Sequence, residues 1–134
     1  MVGGSLGEPG SPPADVVGEA LAAIGEGRTA DLLRLVDPQV VWMPAVRPGR
    51  SVYEGRAGVT RFLSDLRAAF GRFRVVVGSI TVEDGADGHG GTTVVARFHG
   101  VREVAGKQEA MPSIRAVFSV RGGLITWMES QQEG

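Results

Sequence analysis

Three polar side chains in the second half of the chain have the chemistry of an acid–base site, namely Arg97, His99 and Glu129. Histidine gains and loses a proton near neutral pH, so His99 would move a proton to or from a substrate. Arg97 would stabilise an enolate or alkoxide oxygen electrostatically. Glu129 would orient one of these two side chains or act as a second acid or base. We predict these three residues as catalytic.

Two glycine-containing turns would bring the three residues together. Gly106-Lys107 and Gly122-Gly123 are typical of two-residue hairpin turns, and such a turn sets the register of the strands that it joins. In that register Arg97 lies opposite Ala116, which in turn lies opposite Glu129. Two strand spacings, or about 10 Å, separate the charged residues, so their long side chains would meet over the small alanine. We therefore predict an Arg97–Glu129 interaction.

The same register assigns side chains to the two faces of the sheet. The face that we expect to carry the site is mostly apolar and consists of Val95, Arg97, His99, Val101, Ile114, Ala116, Phe118, Ile125, Trp127 and Glu129. The other face is more amphipathic and suits solvent or a partner subunit; it carries Phe98, Arg102, Ser113, Arg115, Val117, Ser119, Leu124, Thr126, Met128 and Ser130. A slip or bulge of one residue in either hairpin would move side chains to the opposite face.

Structural roles stay open for the same charged residues. Arg97 and Glu129 are alternatively a structural ion pair, and His99 is alternatively a hydrogen-bonded structural or surface histidine. His89, in the glycine-rich loop of residues 84–91, is expected to be solvated. Ten strand residues would separate the two histidines by up to about 33 Å, so we expect no metal site. The loop also lacks the Gly-Lys-Ser/Thr ending of a phosphate loop, and we expect no cofactor.

Large apolar side chains supply the predicted wall of a substrate pocket. They are Trp42, Tyr53, Phe62, Ile114, Phe118 and Trp127. Trp42 and Tyr53 flank a segment with Pro44, Pro48 and Gly49, where we expect irregular backbone and the mouth of a cavity, and each has a polar tip that suits a ligand. The alternative is that these side chains are ordinary core, which is the usual place for aromatic residues at helical or strand spacing.

The periodicity of apolar residues predicts helices and then a sheet. Three- and four-residue steps indicate helices within residues 15–24, 29–36 and 57–70. Segments rich in β-branched and aromatic residues indicate strands over 39–43, 73–82, 92–103, 108–120 and 124–130. The short links between the later strands imply antiparallel neighbours. We therefore predict an α+β fold.

Composition limits the size of the protein and the class of its partner. With 134 residues, 43% of them apolar, the chain suffices for one core, and we expect a single domain over residues 14–131 between tails at 1–13 and 132–134. The 14 basic and 15 acidic residues form no run of like charge, which predicts neither a nucleic-acid nor a membrane partner. Since the chain has no cysteine and no 18-residue apolar run, we expect a cytoplasmic protein.

One motif in the first half of the chain resembles a known family. Asp37-Pro38-Gln39-Val40-Val41-Trp42-Met43-Pro44, followed by Tyr53-Glu54-Gly55-Arg56-Ala57-Gly58-Val59 and by Phe62-Leu63, resembles the centre of the SnoaL-like branch of the nuclear transport factor 2-like superfamily. The resemblance runs from Asp15 to Glu129. It implies a cone-shaped, strongly curved, mostly antiparallel sheet wrapped around three N-terminal helices and enclosing a cavity, and it implies a homodimer.

The relatives implied by this resemblance include polyketide cyclases, ketosteroid isomerases, limonene-type epoxide hydrolases and binding proteins. The isomerase-like aspartate is replaced at Met43-Pro44, and the cyclase-like histidine and aspartate are absent from Trp127-Met128-Glu129-Ser130. The epoxide hydrolase-like arginine and acid correspond to Arg97-Phe98-His99, where the arginine persists. On that strand the resemblance also implies that Arg97 and His99 point towards the cavity.

Two functions are consistent with these residues. We expect a cofactor-independent enzyme with cyclase, isomerase, hydratase or epoxide-opening chemistry that acts on a small, apolar, polyketide-like molecule. The alternative is a non-catalytic ligand-binding or accessory protein of the same fold. The discriminator is whether Arg97, His99 and Glu129 point into an open, partly apolar pocket.

Overall fold

The computed structural model describes residues 12–45, 52–86 and 90–133, without the side chains of residues 84–86. Its elements are α1 (Pro13–Glu26), α2 (Thr29–Leu33), β1 (Val36–Met43), β2 (Tyr53–Glu54), α3 (Gly55–Phe70), β3 (Arg74–Ala86), β4 (Thr92–Val104), β5 (Lys107–Ala110), β6 (Ile114–Arg121) and β7 (Leu124–Gln132). Residues 1–11 of the predicted tail and His89 lie outside the described residues. The predicted domain limits stay predictions.

The strands form one curved sheet that packs against the helices. Their order is β2-β1-β7-β6-β4-β3, with β5 beside β4, and β1–β7 is the parallel pair among otherwise antiparallel neighbours. Register shifts interrupt β3, and such bulges bend a strand and increase its twist. The predicted α+β cone, with a mostly antiparallel sheet around three helices, is confirmed.

The core lies between the helices and the concave face of the sheet, here called the inner face. α1 buries Val17 and Leu21, and α3 buries Val59 and Phe62, so each helix turns one apolar side towards the sheet. α1 approaches β3 closely at Gly25, where an added Cβ would lie 3.1 Å from the Val75 side chain. The helices therefore cover part of the inner face and leave a space beside it.

The first hairpin has a different turn from the predicted one. Ala105 and Gly106 form the turn with φ values of 53° and 78°, and Val104 pairs with Lys107. Positive φ at both central residues is the geometry of a type I′ turn. The strand that starts at Lys107 is interrupted near Pro112, because proline has no N–H to donate to a neighbouring strand. The predicted strand over residues 108–120 is therefore two strands, β5 and β6.

This interruption shifts the register of β6 on β4. Val101 pairs with Ala110, and the next pair beyond the interruption is Phe98 with Ile114. β4 advances three residues between these pairs while the opposite segment advances four. One extra residue in that segment moves every following side chain of β6 to the other face relative to β4.

The second hairpin contains a bulge. Its turn, Gly122-Gly123, matches the prediction, since Arg121 pairs with Leu124. Two residues later the register shifts, and Thr126 is an extra residue of β7 opposite Ser119 and its neighbour in β6. The Thr126 hydroxyl donates to the Ser119 carbonyl oxygen at 3.3 Å. The bulge reverses the faces of the rest of β7 relative to the predicted register.

Together the two shifts change which residues share the inner face. Ala116 pairs with Ala96 and Ser130 in place of the predicted Arg97 and Glu129. Residues of the inner face are accordingly Val94, Ala96, Phe98, Gly100, Ile114, Ala116, Phe118, Met128 and Ser130. The predicted inner face is wrong for β4 and for the second half of β7, and right for Ile114, Ala116 and Phe118 of β6.

Candidate functional site

A cavity of about 240 Å³ lies between the helices and the inner face. Residues from α1, α3, five strands and three connecting segments form its wall, and they are Leu21, Ile24, Trp42, Pro44, Phe62, Leu66, Phe70, Phe73, Val75, Phe98, Gly100, Met111, Pro112, Ile114, Ala116, Phe118, Met128, Ser130 and Gln132. The cavity exists because α1 and α3 cover part of a strongly curved sheet, and the curvature holds the middle strands away from the helices.

The wall is apolar and carries no ionisable side chain. Of the nineteen described residues that form it, none is Asp, Glu, His, Lys or Arg. Ser130 contributes a hydroxyl and Gln132 contributes an amide. A cavity of this composition favours apolar, neutral molecules, because an ionised group would lose its hydration without meeting an opposite charge. Within the described part of the chain, no group of three or more His, Cys, Asp or Glu residues is placed to hold a metal ion.

Ser130 is held in place by the end of β1. β1 and β7 run parallel, and the Ala45 N–H just beyond β1 donates to Ser130 Oγ at 2.7 Å. Gln132 follows two residues later on the same strand and pairs across the sheet with Ile114. The sequence reasoning missed both, since the predicted register turned Ser130 outwards and the predicted domain ended at residue 131. The signal that was available is the Ser-x-Gln alternation at the end of an otherwise apolar strand.

An aromatic cluster forms one side of the cavity. The Trp42 ring lies 5.8 Å from the Phe62 ring and 6.2 Å from the Phe118 ring, between ring centroids, in tilted and edge-on arrangements that favour aromatic pairs. Trp42 is 1% exposed, and among the described residues its Nε1–H has no hydrogen-bond partner. The indole is therefore sealed against its aromatic neighbours.

Four of the six predicted substrate-binding residues line the cavity, namely Trp42, Phe62, Ile114 and Phe118. Their contact with a ligand stays a prediction. Tyr53 does not line it: its ring packs 5.5 Å from Phe62 and its hydroxyl donates to Asp65 Oδ2 at 2.7 Å. This hydrogen bond ties β2 to α3, so the polar tip of Tyr53 serves the fold.

Trp127 also lies outside the cavity. It pairs with Ser119 in β6 and Val41 in β1, on the convex face of the sheet, here called the outer face. The Thr126 bulge is the reason, because regular pairing from the turn would place Thr126 opposite Ser119 and Trp127 opposite Phe118. The place predicted for Trp127 is taken by Met128, which lines the cavity.

The predicted catalytic residues Arg97, His99 and Glu129 do not line the cavity. Arg97 pairs with Arg115 across the sheet, so it lies on the outer face, and His99 follows it on the same face of β4. Glu129 is exposed, again on the outer face. The prediction that these three residues share the cavity is wrong, because the extra residue before β6 and the bulge in β7 each reverse a face.

The predicted Arg97–Glu129 interaction is replaced by another ion pair. Arg97 Nε lies 3.3 Å from Glu133 Oε1, and both side chains are largely exposed. Glu133 follows the end of β7, and its N–H donates to the Ser113 carbonyl oxygen at 2.8 Å. This pair joins the outer surface of β4 to the residue after β7, and neither of its members lines the cavity.

Charged residues gather at one end of the cavity without entering it. Phe73 forms a wall between the cavity and a surface groove that carries Arg67, Arg72, Arg74 and Arg102 together with Glu26 and Glu103. The Arg102 guanidinium lies 6.0 Å from the centroid of the Phe70 ring and 2.8 Å from Glu109. Elsewhere, hydrogen bonds to Asp31 and Glu26 raise the pKa of Arg28. None of these charges replaces a missing acid or base in the cavity.

Solved structures with the same fold cover nearly the whole chain. TerC, co-crystallised with polyporic acid, is 19% identical with a TM-score of 0.71, over 91% of this chain and 92% of that one. A protein of nuclear transport factor 2-like type from Novosphingobium aromaticivorans is 17% identical with a TM-score of 0.73, over 89% of this chain and 78% of its own. A candidate polyketide cyclase from Sinorhizobium meliloti is 17% identical with a TM-score of 0.64, over 87% and 94%.

Sequence comparison identifies the family. No curated protein sequence matches the chain. Among the described residues, no helix is long and apolar enough to cross a membrane. A family model for the SnoaL-like domain matches residues 17–128, which include all the described helices and strands except the ends of α1 and β7. The chain therefore belongs to the SnoaL-like domain family.

Proposed function

We propose that this protein is a SnoaL-like enzyme that binds an apolar, polyketide-like molecule in the cone cavity and promotes a cyclisation or isomerisation of it. The observation that supports the proposal is the cavity of about 240 Å³ whose described wall is apolar apart from Ser130 and Gln132. Its aromatic wall of Trp42, Phe62 and Phe118 suits a flat, unsaturated ring system.

Because Arg97, His99 and Glu129 lie outside the cavity, the acid–base mechanism expected from the sequence does not apply, and the proposed chemistry depends on orientation rather than on a protein acid or base. A flexible substrate that is held in one folded conformation reacts faster, because the entropy of bringing its reacting atoms together is lost on binding and not in the transition state. The rigid wall of β4, β6, β7 and α3 provides such a mould. Ser130 and Gln132 would add neutral hydrogen bonds at one end of it.

A second candidate function is ligand binding without turnover. The absence of any ionisable side chain among the described wall residues favours it, since most cyclases and isomerases of general acid–base type need such a group within hydrogen-bond reach of the substrate. Both candidates share the cavity and the class of ligand, and they differ in whether a bound molecule is converted.

The neighbours in structure support the ligand class. One was crystallised with polyporic acid, and another is a candidate polyketide cyclase. With identities below one fifth, these likenesses speak for the shared fold. What they contribute is that a protein of this fold was co-crystallised with an oxygenated aromatic molecule, which is a class of ligand that the apolar wall of this chain suits.

Native mass spectrometry of the purified protein, with identification of any retained molecule, tests the proposal. We expect an oxygenated hydrocarbon to be retained by the wild type and lost from Ala116→Leu, which fills the cavity. Ala110→Leu, the same change on the exposed strand β5, should retain it. Incubation of the identified molecule with the protein then separates the two candidates: a new product supports the enzyme, and unchanged ligand supports the binding protein. Failure of both the wild type and Ala110→Leu to bind any apolar molecule would refute both.

The homodimer and the cytoplasmic location stay predictions. If a second copy covers the outer face, the half-buried Trp127 and Met43 side chains, which lie on neighbouring strands, would be among the buried groups. Sedimentation equilibrium of the wild type and of Trp127→Glu checks this assembly, because a charge in the centre of the contact should shift the protein to monomer.

A further inference from the structure

We infer that the ligand carries a neutral oxygen, such as a ketone carbonyl, that accepts a hydrogen bond from the Ser130 hydroxyl, so that Ser130 selects oxygenated molecules over plain hydrocarbons. The inference rests on the proposed binding in the cavity. It adds the chemical group that the cavity recognises and the residue that recognises it.

Ser130 and Gln132 form the polar end of an otherwise apolar wall. They are two residues apart on β7, so their side chains leave the strand on the same face, and both line the cavity. Ser130 is half-buried, whereas Gln132 is exposed at the end of the strand. A ligand inside the cavity therefore meets the Ser130 hydroxyl first, and the Gln132 amide lies nearer to solvent.

The hydrogen bond from the backbone makes Ser130 a positioned donor. Its Oγ accepts the Ala45 N–H at 2.7 Å, which uses one lone pair and holds the oxygen against the end of β1. A serine hydroxyl has one hydrogen to donate, and among the described residues no acceptor receives it. Accepting one hydrogen bond also polarises the O–H towards donating another. The hydroxyl is thus available for an oxygen of the ligand.

The surroundings of Ser130 restrict the acceptor to a neutral group. No arginine, lysine or histidine is among the described residues that line the cavity, so a carboxylate there would be dehydrated with only a hydroxyl and an amide as partners. The Trp42 Nε1–H is not a competing donor, because this atom is fully buried. A carbonyl or ether oxygen fits both conditions.

A matched pair of small ligands tests the inference. 1-Tetralone and tetralin have nearly the same size and shape, and only the ketone has an oxygen acceptor. Their dissociation constants would be measured by NMR titration for the wild type, for Ser130→Ala, and for Ser113→Ala, which makes the same change on an exposed residue outside the cavity. Thermal melting of each variant shows that it is folded.

We expect the wild type to bind tetralone more tightly than tetralin by about 3- to 10-fold, the usual worth of one neutral hydrogen bond. Ser130→Ala should remove that ratio, Ser113→Ala should keep it, and Ser130→Thr, which restores a hydroxyl, should recover it. The ratio is informative even if Ser130→Ala alters the cavity, since a change of shape affects both ligands alike. 1,2,3,4-Tetrahydro-1-naphthoate, ionised at neutral pH, should bind more weakly than either.

The outcomes separate this inference from the proposed function. If both neutral ligands bind and their ratio is the same in the wild type and Ser130→Ala, Ser130 does not recognise oxygen and the inference is wrong. Tighter binding of the naphthoate than of tetralone would overturn the requirement for a neutral group. If neither tetralone nor tetralin binds the wild type, the proposed apolar ligand itself is refuted.

Discussion

The two faces of the same strands have opposite chemistry. Along β4, the inner face carries Ala96, Phe98 and Gly100, while the outer face carries Arg97 and His99 between them. β7 repeats the contrast, with Met128 and Ser130 inside and Glu129 outside. Neighbouring residues in sequence therefore belong to different environments, one apolar and enclosed and the other carrying the charges of Arg97 and Glu129, which are exposed. Only the inner face has the enclosure that a small-molecule site needs.

This contrast shows that the chemistry of the cavity depends on the exact pairing register of the strands. Side chains of a strand alternate between faces, so one inserted residue exchanges everything that follows. Here one extra residue precedes β6 and another, Thr126, interrupts β7. The two together exclude the charged candidates from the cavity and place Phe98 and Ser130 in it.

Inserting one alanine between Met128 and Glu129 should have the largest effect on this arrangement. If the strand kept its pairing up to Met128 and Phe118, the insertion would turn Glu129 inwards and Ser130 outwards, so a carboxylate would enter an apolar wall. We expect a loss of at least about 4 kcal/mol in the free energy of unfolding, measured with urea. Thr126→Ser, which keeps the residue count, should lose less than about 1 kcal/mol. An insertion variant as stable as wild type would show that the register does not set the faces.

The two tryptophans offer the next largest contrast. Trp42 is buried in the aromatic cluster, and Trp127 is half-buried on the outer face of the neighbouring strand. Trp42→Ala should lose about 3–5 kcal/mol of unfolding free energy, because it leaves a large hole in the core. Trp127→Ala should lose about 1–2 kcal/mol. Equal losses in urea titrations would mean that the outer face is as well covered as the inner one.

Phe98 and His99 separate the faces by function. Phe98→Ala removes apolar surface from the cavity wall and should weaken the binding of tetralone by about tenfold, the equivalent of ~1.4 kcal/mol. His99→Ala should leave the binding, and any turnover of the natural ligand, unchanged. The measurement is a ligand titration with melting curves as the folding control. A His99→Ala variant that loses turnover while it still binds would restore the sequence-based acid–base hypothesis.

The Arg97–Glu133 ion pair should have the smallest effect. Both side chains are largely exposed, with 55% and 37% of their surface accessible, so water and salt screen their attraction. Arg97→Ala should change the unfolding free energy by about 0.5 kcal/mol or less, and the difference should vanish at high salt. A loss above about 2 kcal/mol would indicate that the outer face contains a tighter contact than this pair.

Much of the fold was predictable because it depends on local sequence patterns, namely the spacing of apolar residues and the glycines of tight turns. Apolar residues at helical spacing marked α1 and α3, and Gly122-Gly123 marked a turn that needs two positive φ values. The positions of Trp42, Phe62, Ile114 and Phe118 in the cavity wall were also predictable. Large apolar residues of elements that face one core lie near each other in almost any register.

The polar residues of the site were not predictable in the same way. Ser130, Gln132, Arg97 and Glu129 are assigned to a face only by the exact register, and no local pattern announces a bulge at Thr126. Pro112 predicts an interruption of the strand, because it cannot donate a hydrogen bond to a neighbouring strand. It does not predict how many residues the interruption leaves unpaired. An error of one residue in the predicted register leaves the wall almost as apolar as before, but it changes which polar side chains the wall contains.

The sequence by itself determined the class of fold, the family, the aromatic wall and the absence of cysteine chemistry. These properties depend on composition and on periodicities that hold over many residues. Tertiary structure alone decided that the cavity is lined without an ionisable side chain in its described wall, and that Ser130 and Gln132 rather than Glu129 supply its polar groups. The physical reason is the two-residue period of a strand: pairing across the sheet, and not the order of residues, decides which alternate side chains the curved sheet encloses.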